Sequence, residues 1–242
     1  MKYLKNKVWQ TLNALGYDIH RSNTRQLLRA FELFDVDLVL DVGANVGQFV
    51  TELRSAGYRR KVVSFEPLSS ARGELERIAR QDASWEIVPR CAIGDFDGEI
   101  VINIAGNSAS SSILPMLEAH SSAAEGSAYI GSEQVPIFKL DSIAPKYLVN
   151  SRRPFLKIDT QGFEWQVLDG AREILPFVQG VLCELSLIPL YGSQRLWKDI
   201  IQRLENDGFK LWSIHRGFTD PRDGRTLQID AVFFRDKWEN GN

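Results

Sequence analysis

From Leu38 onward, short apolar runs alternate with longer amphipathic stretches, and no other feature constrains the fold of this 242-residue chain as strongly. Strands buried on both faces read as short apolar runs, and the helices that cover them read as amphipathic stretches. The pattern predicts strands over residues 38–42, 61–66, 86–90, 155–159, 180–185, 209–214 and 227–234. It predicts helices over residues 46–56, 69–81, 163–175 and 193–207. We therefore expect an α/β fold, with helices on both faces of a mostly parallel sheet.

The last two predicted strands are expected to form an antiparallel hairpin. The segment that joins them, TDPRDGR, is too short for a helical crossover between parallel strands. Farther upstream, the stretches IVINIA and QVPIFKL predict two extra strands. The chain between these two stretches is rich in Ser, Ala and Gly from Asn107 to Gly131, so we expect a mobile loop or lid there.

Two helix-like stretches, residues 2–15 and 23–34, precede the α/β pattern. We interpret residues 1–35 as an N-terminal helical extension and residues 36–242 as one domain. No internal repeat, linker or low-complexity tail suggests a second domain.

Composition argues against several functional classes. The chain has 29 Lys and Arg against 31 Asp and Glu, so nothing in its charge favours nucleic acid as a partner. No apolar run approaches the roughly 18 residues of a transmembrane helix, and the N-terminus does not resemble a secretory signal. Cys91 and Cys183 both lie in apolar runs, which suits reduced core residues. We therefore expect a cytoplasmic location.

The first predicted strand runs into a glycine-rich turn, LVLDVGANVGQF. Gly43 and Gly47 permit positive φ angles and a close approach of ligand to backbone, and Asn45 is a residue type that tolerates the left-handed region. A dinucleotide fingerprint would instead read GxGxxG. The observed spacing suits an amino-acid moiety, whose ammonium group would contact Asp41 and whose carboxylate would accept backbone N–H groups. A purely structural turn is the alternative interpretation.

Acidic residues recur at the ends of four of the five predicted core parallel strands: Asp41, Glu66, Asp159 and Glu184. In open α/β sheets the carboxyl ends of the strands form the ligand crevice. Glu66 lies 19 residues beyond the last glycine of the turn, where such folds place the acid that accepts both ribose hydroxyls. Ala92 follows the third strand and is expected to contact a flat ring such as adenine. The alternative is that these acids only mark strand ends.

These residues together resemble the FkbM family of S-adenosylmethionine-dependent methyltransferases, from about Leu38 to Asp236. The order and spacing of several stretches make the resemblance specific. They are DVGANVGQF (41–49), FEP (65–67), AIGDFDG (92–98), NSASSS (107–112), KLDSI (139–143), LKIDTQGFEWQVLDGA (156–171), CELSLIPLY (183–191) and QIDAVF (228–233).

The resemblance implies a class I methyltransferase, a Rossmann-like three-layer sandwich whose seven-stranded sheet has six parallel strands and one antiparallel strand. It implies S-adenosylmethionine as cofactor and O-methylation of a hydroxyl on a sugar, a glycolipid or a related glycoconjugate or natural product. The first 35 residues lie outside the resemblance, so acceptor docking or homodimer formation through them stays open.

Methyl transfer to an alcohol needs a base, because the protonated hydroxyl is a poor nucleophile. Asp159 and Glu184, at the ends of neighbouring strands, are the first candidates. His215 competes with them, because its ordinary pKa of about 6.5 suits a base and it follows a strand toward the same sheet edge. Asp159 has a second possible role as a contact to the methionine end of the cofactor.

Two further assignments concern the metal and the acceptor. Asp159, Glu184 and Asp230 are hard oxygen ligands that could hold Mg²⁺, although a metal is not the favoured interpretation. Tyr191, predicted to lie in a loop after the fifth strand, is the candidate for contact with a small-molecule or glycan acceptor.

Two other functions stay open at this stage. One is a non-catalytic S-adenosylmethionine-binding or assembly subunit that keeps the fold without turnover. The other is an NAD-dependent dehydrogenase, which the missing third glycine disfavours. Binding of S-adenosylhomocysteine and a methyl-transfer assay distinguish these possibilities.

Overall fold

The computed structural model describes residues 23–236 of the protein, so the helix predicted at residues 2–15 lies outside the described part. Helix α1, Asn23–Phe34, matches the second predicted helix. Its aromatic side chains anchor it to the sheet. Phe31 packs edge-on against Phe155, with ring centroids 4.6 Å apart, and Phe34 stacks on Phe234 at 4.1 Å. Helix α1 is therefore part of the layer that covers one sheet face.

Within residues 23–236, ten strands make two sheets. In chain order they are β1 Leu38–Val42, β2 Lys61–Phe65, β3 Trp85–Ile87, β4 Ala92–Ile93, β5 Gly98–Ala105, β6 Tyr129–Phe138, β7 Pro154–Ile158, β8 Gly180–Ser186, β9 Lys210–Arg216 and β10 Gln228–Phe234. The main sheet has the order β3-β2-β1-β7-β8-β10-β9. Strand β10 is antiparallel to both β8 and β9, and the other strands share one direction. The class I methyltransferase topology and the antiparallel hairpin are confirmed.

The remaining helices are α2 Gln48–Ala56, α3 Ser69–Ala79, α4 Glu118–Ser121, α5 Leu140–Ile143, α6 Pro145–Leu148, α7 Glu164–Asp169 and α8 Trp197–Asn206. The helix predicted over 163–175 stops early, at Asp169. Gly170 packs so closely against the backbone that an added Cβ would lie 1.8 Å from the Gly94 carbonyl oxygen. The backbone N–H groups of Glu173 and Ile174 donate to the Asp141 carboxylate, so tertiary contacts replace the expected helical turn.

The two extra strands predicted between residues 91 and 153 correspond to β5 and β6, which pair antiparallel in a small sheet of order β4-β6-β5. Residues 106–128 join them, and we call them the covering segment. Five of its polar residues are buried, namely Ser110, Ser111, Ser112, His120 and Ser127. His120 Nε2 lies 3.0 Å from Ser110 Oγ. The segment is therefore packed against the body of the protein.

The central strands of the main sheet are buried on both faces, as their apolar sequences require, whereas the edge strand β9 is mostly exposed. One face includes Val39 and Phe155 and packs against α1 and α2. The other includes Leu40 and Leu156 and packs against α7 and α8. Cys91 and Cys183 are both buried and form no disulfide. Within residues 23–236, no helix has the length and apolarity needed to cross a bilayer.

Candidate active site

A cavity of about 400 Å³ opens at the carboxyl ends of β1, β2, β7 and β8. Five of the predicted cofactor contacts line it: Gly43, Asn45, Glu66, Ala92 and Asp159. Glu184 lines it as well, together with Asp230, Gln161 and Lys157. The structure thus brings together acidic residues from strands that are far apart in the sequence, because the carboxyl ends of parallel strands lie at the same edge of the sheet.

The glycine-rich turn needs its special residues. Gly43 has φ 77°, and a Cβ there would lie 1.8 Å from the carbonyl oxygen of Asp159. Asn45 has φ 48°, the left-handed conformation that asparagine tolerates. Gly47 has φ 88° and faces the Trp85 ring, away from the cavity wall. Gly43 therefore allows the turn to lie close to β7, and Gly47 allows α2 to begin against β3.

Glu66 is held by backbone donors. The N–H of Asn45 donates to its Oε2 at 2.6 Å, and the N–H of Leu68 donates to its Oε1 at 2.8 Å. Burial raises the pKa of Glu66 to about 7, although both hydrogen bonds oppose that rise. Each carboxylate oxygen has a second lone pair, so Glu66 still has acceptor capacity toward the cavity.

Asp41 does not line the cavity, so the structure gives no support to the predicted contact with a ligand ammonium group. Its side chain is fully buried, accepts a 2.8 Å hydrogen bond from Ser64 Oγ and lies 3.3 Å from Lys157 Nζ. Lys157 Nζ also lies 3.4 Å from Asp159 and donates to the Gly43 carbonyl at 2.8 Å. Burial lowers the pKa of Lys157, but attraction to Asp159 and Asp41 outweighs it and raises the pKa overall. Lys157 therefore supplies the cation that Asp41 requires.

Asp159 and Glu184 are joined by one side-chain amide. Gln161 Nε2 donates to Asp159 Oδ1 at 2.9 Å and to Glu184 Oε2 at 2.7 Å. Gln228 Nε2 donates to the same Glu184 oxygen at 2.7 Å. Asp230 stands beside Glu184, its register partner across the β8–β10 pair. The two predicted base candidates therefore share a hydrogen-bonded cluster at the cavity wall.

Crowding of carboxylates shifts the acidity of this cluster. Burial, followed by repulsion from Asp159 and Asp230, raises the pKa of Glu184 well above its ordinary value. Burial and the Asp159 charge raise the pKa of Asp230 to about 6. Ionising all of these neighbouring carboxyl groups would place like charges close together. The cluster therefore retains protons at pH values where an exposed carboxyl group would be ionised.

The loop between β7 and α7 is shaped by Glu164. Its Oε1 accepts the backbone N–H groups of Thr160 and Gly162, both at 3.0 Å. Burial raises the pKa of Glu164 to about 7. Gln161, enclosed between these two donors, has φ 52°. The sequence analysis did not identify the roles of Lys157, Gln161 and Glu164, although the stretch KIDTQGFE contains all three. The lysine inside a buried strand could have indicated a buried ion pair, because a buried charge needs a partner.

Tyr191 and His215 are not on the cavity wall. Tyr191 is fully buried, because the chain after β8 packs against the covering segment. Met116 of that segment forms an isolated antiparallel β-bridge with Tyr191. Its hydroxyl lies 3.2 Å from the Ser110 carbonyl oxygen and 3.0 Å from Gln161 Oε1. The structure therefore gives no support to the predicted direct acceptor contact of Tyr191.

His215 lies on β9, the edge strand, one strand beyond Asp230 in register. Its Nε2 is 3.2 Å from Ser213 Oγ, and burial lowers its pKa. Asp230 stands between His215 and Glu184 in the sheet, so His215 has no direct position at the cavity wall.

The described residues offer no ready metal centre. Among residues 23–236, no group of three or more His, Cys, Asp or Glu side chains is arranged to hold a metal ion. Oδ1 of Asp159 and Oε2 of Glu184 point instead at the Gln161 amide. The geometry gives no support to the Mg²⁺ interpretation.

Comparison with known protein families assigns the chain to a family. The model of the methyltransferase FkbM domain matches residues 41–211. The protein belongs to the FkbM methyltransferase family. It is therefore an S-adenosylmethionine-dependent methyltransferase. No curated protein sequence matches the chain.

The solved structures that match the chain are distant in sequence. A TehB-like SAM-dependent methyltransferase from Corynebacterium glutamicum is 13% identical, with 97% of each chain covered and a TM-score of 0.41. A precorrin-6y C5,15-methyltransferase from Geobacter metallireducens is 11% identical, with 90% of each chain covered and a TM-score of 0.45. The assignment to the FkbM family rests on the family match and not on these similarities.

The cavity of this FkbM-family protein fits S-adenosylmethionine. The Gly43 backbone lines the cavity, Glu66 retains acceptor capacity for ribose hydroxyls, and Ala92 with Ile93 forms an apolar wall suited to adenine. Five carboxylates line the cavity against one lysine, a charge balance that suits a cationic sulfonium. These residues would hold the cofactor, which supplies an electrophilic methyl group when bound.

Proposed function

We propose that the protein methylates a hydroxyl oxygen of a sugar, glycolipid or related glycoconjugate, and that Glu184 removes the acceptor proton. The observation that carries this proposal is the position of Glu184. Its Oε2 is held by two side-chain amides, whereas no residue of the described range 23–236 donates a hydrogen bond to its Oε1. Oε1 is thus the oxygen with unused acceptor capacity at the cavity wall.

The acidity of Glu184 supports this role. A general base works best when its pKa lies near the working pH, and burial raises the pKa of Glu184 above the ordinary carboxylate range. A bound cation would oppose that rise by favouring the ionised carboxylate. Asp159 is the weaker candidate because it is ion-paired with Lys157 and also accepts from Gln161.

A polar acceptor is supported by the neutral groups around the cavity. Gln48, Ser108, Ser111 and Thr160 line it, and their hydroxyl and amide groups suit hydrogen bonding to a polyol. Phe49 lines the same cavity and offers an aromatic surface for the apolar face of a sugar ring. The small-molecule or glycan acceptor is proposed from these groups together with the family resemblance.

The test is methyl transfer from labelled S-adenosylmethionine to matched acceptors. Monosaccharides, oligosaccharides and glycolipid fractions are compared with amino sugars whose hydroxyls are blocked. The proposal expects labelled methyl ethers on hydroxyl acceptors and loss of that product in Glu184→Gln. Transfer only to nitrogen, or binding of S-adenosylhomocysteine with no turnover on any acceptor, would contradict it.

A further inference from the structure

We propose that Gln161 is a positioning residue for this reaction: its side-chain amide holds Asp159 and Glu184 in one arrangement and leaves Oε1 of Glu184 for the acceptor proton. This inference rests on the proposed O-methyl transfer. It assigns a role to a residue that contacts the carboxylates directly and acts through them.

The contacts of Gln161 determine the orientation of its amide. Two N–H groups donate to the two carboxylates, and Oε1 lies 3.0 Å from the Tyr191 hydroxyl. A flipped amide would place its oxygen against both carboxylates and its N–H groups toward the tyrosine oxygen. The observed arrangement uses both donors and one acceptor of the amide, so Asp159 and Glu184 are tied to one rigid group.

The backbone of Gln161 is held as firmly as its side chain. It adopts φ 52°, which is uncommon for a residue other than glycine. The N–H groups on either side bind Glu164, and the Gln161 carbonyl accepts a 2.6 Å hydrogen bond from Ser112 Oγ of the covering segment. The covering segment is therefore connected to the carboxylates through Gln161.

Other charged groups also act on Glu184. Repulsion comes from Asp159 after β7, Asp230 on β10 and Glu164 on α7, and attraction comes from Lys157 on β7. Gln161 and Gln228 are the neutral donors that offset this repulsion by binding Oε2. Within residues 23–236, the Gln228 amide donates to Glu184 and makes no hydrogen bond to Asp159, so it provides a matched comparison within the same cluster.

The experiment compares Gln161→Leu with Gln228→Leu and with Gln202→Leu on the exposed face of α8. We expect Gln161→Leu to lower kcat by about 10–100-fold while the Kd for S-adenosylhomocysteine changes by less than about threefold. The alkaline rise of its pH–rate profile should move upward by about one pH unit, because ionised carboxylates lose two donors. Gln202→Leu should match the wild type.

A second readout needs no acceptor. In the ligand-free protein, ¹³C NMR of labelled Asp and Glu carboxyl groups follows Asp159 and Glu184, assigned by loss of signal in Asp159→Asn and Glu184→Gln. Gln161→Leu should shift both signals, and Gln228→Leu should shift only that of Glu184. If Gln161→Leu does not fold, Gln161→Asn is used, since asparagine tolerates positive φ but is too short to reach both carboxylates.

The outcomes separate the two proposals. A wild-type protein that methylates no hydroxyl acceptor overturns the proposed function, while the carboxyl signals still decide what Gln161 holds. Unmoved signals in the Gln161 variant, or a loss of kcat that is equal at every pH, overturn the positioning role even when O-methylation is found.

Discussion

Glu66 and Glu184 are both buried carboxylates of one cavity, three strand positions apart in the sheet, yet they are held by different kinds of donor. Backbone N–H groups of the glycine-rich turn and of Leu68 bind Glu66. Side-chain amides of Gln161 and Gln228 bind Glu184. The first arrangement follows from the path of the chain. The second depends on which side chains other elements supply.

The two kinds of donor suit two different tasks, cofactor binding at Glu66 and proton removal at Glu184. A cofactor site needs a fixed acceptor, and backbone donors keep their positions when nearby side chains change. A base needs a particular pKa, which side-chain donors and neighbouring charges adjust. The predictions that follow test whether the Glu66 end governs affinity and the Glu184 end governs turnover.

The largest effect is expected from Glu184→Gln. The glutamine oxygen can accept from Gln161 and Gln228 as Oε2 does, so the fold is preserved while the proton acceptor is lost. We expect kcat to fall by about 10²–10⁴-fold with the Kd for S-adenosylmethionine nearly unchanged. Steady-state kinetics and calorimetry measure the two quantities.

Asp159→Asn is the comparison for this variant. Asp159 is ion-paired with Lys157 beneath the turn, so we expect its amide variant to lose cofactor affinity as well as turnover. If Asp159→Asn alone reduced kcat and Glu184→Gln kept it, the base assignment would have to be reversed.

Glu66→Ala should reverse the pattern by weakening binding. Losing charge-assisted hydrogen bonds costs about 1.5–3 kcal/mol, so the Kd for S-adenosylmethionine should rise by roughly 10–100-fold. Turnover at saturating cofactor should change much less. Calorimetry checks the affinity, and circular dichroism checks that the variant is folded. An unchanged Kd in a folded variant would remove Glu66 from the cofactor site.

The ligand-free protein should become less stable as pH rises from about 4.5 to 7. Burial raises the pKa of Glu66 and Glu164 to about 7 and that of Asp230 to about 6. Burial lowers the pKa of His120 to about 4 and also lowers that of His215, which acts in the opposite direction below about pH 6.5. The buried carboxyl groups outnumber these histidines, so the folded protein binds more protons than the unfolded chain and raising the pH favours unfolding. The free energy of unfolding from urea titrations at several pH values measures the slope.

The variant Glu184→Gln tests how much Glu184 contributes to this pH dependence of stability. Because burial raises the pKa of Glu184 as well, the variant should show a shallower decline with pH and greater stability than the wild type at pH 8. Equal slopes in the two proteins would show that Glu184 is not protonated in the ligand-free fold at these pH values.

The smallest effect is expected from His215→Ala. His215 lies on the edge strand beyond Asp230 and does not line the cavity. We expect kcat to change by less than about twofold at pH 7, since exchange of a base would instead cost 10²-fold or more. A fall as large as that of Glu184→Gln would return His215 to the list of base candidates.

Much of the fold could be predicted from sequence because strands buried on both faces are marked by their own apolar runs. Every strand of the main sheet was anticipated to within a few residues. The glycine-rich turn was predictable for a similar reason, since positive φ angles at Gly43, Asn45 and Gly47 are local requirements. The position of Glu66 at the cavity follows from its place directly after β2.

Only the tertiary structure decided which polar side chains meet. Lys157 pairs with Asp41, 116 positions earlier, and Gln161 reaches Glu184, 23 positions later. Tyr191 appeared to follow a strand into a loop, but the covering segment buries it. The physical reason is that backbone conformation depends on neighbouring residues, whereas the partner of a buried charge depends on sheet order and side-chain direction.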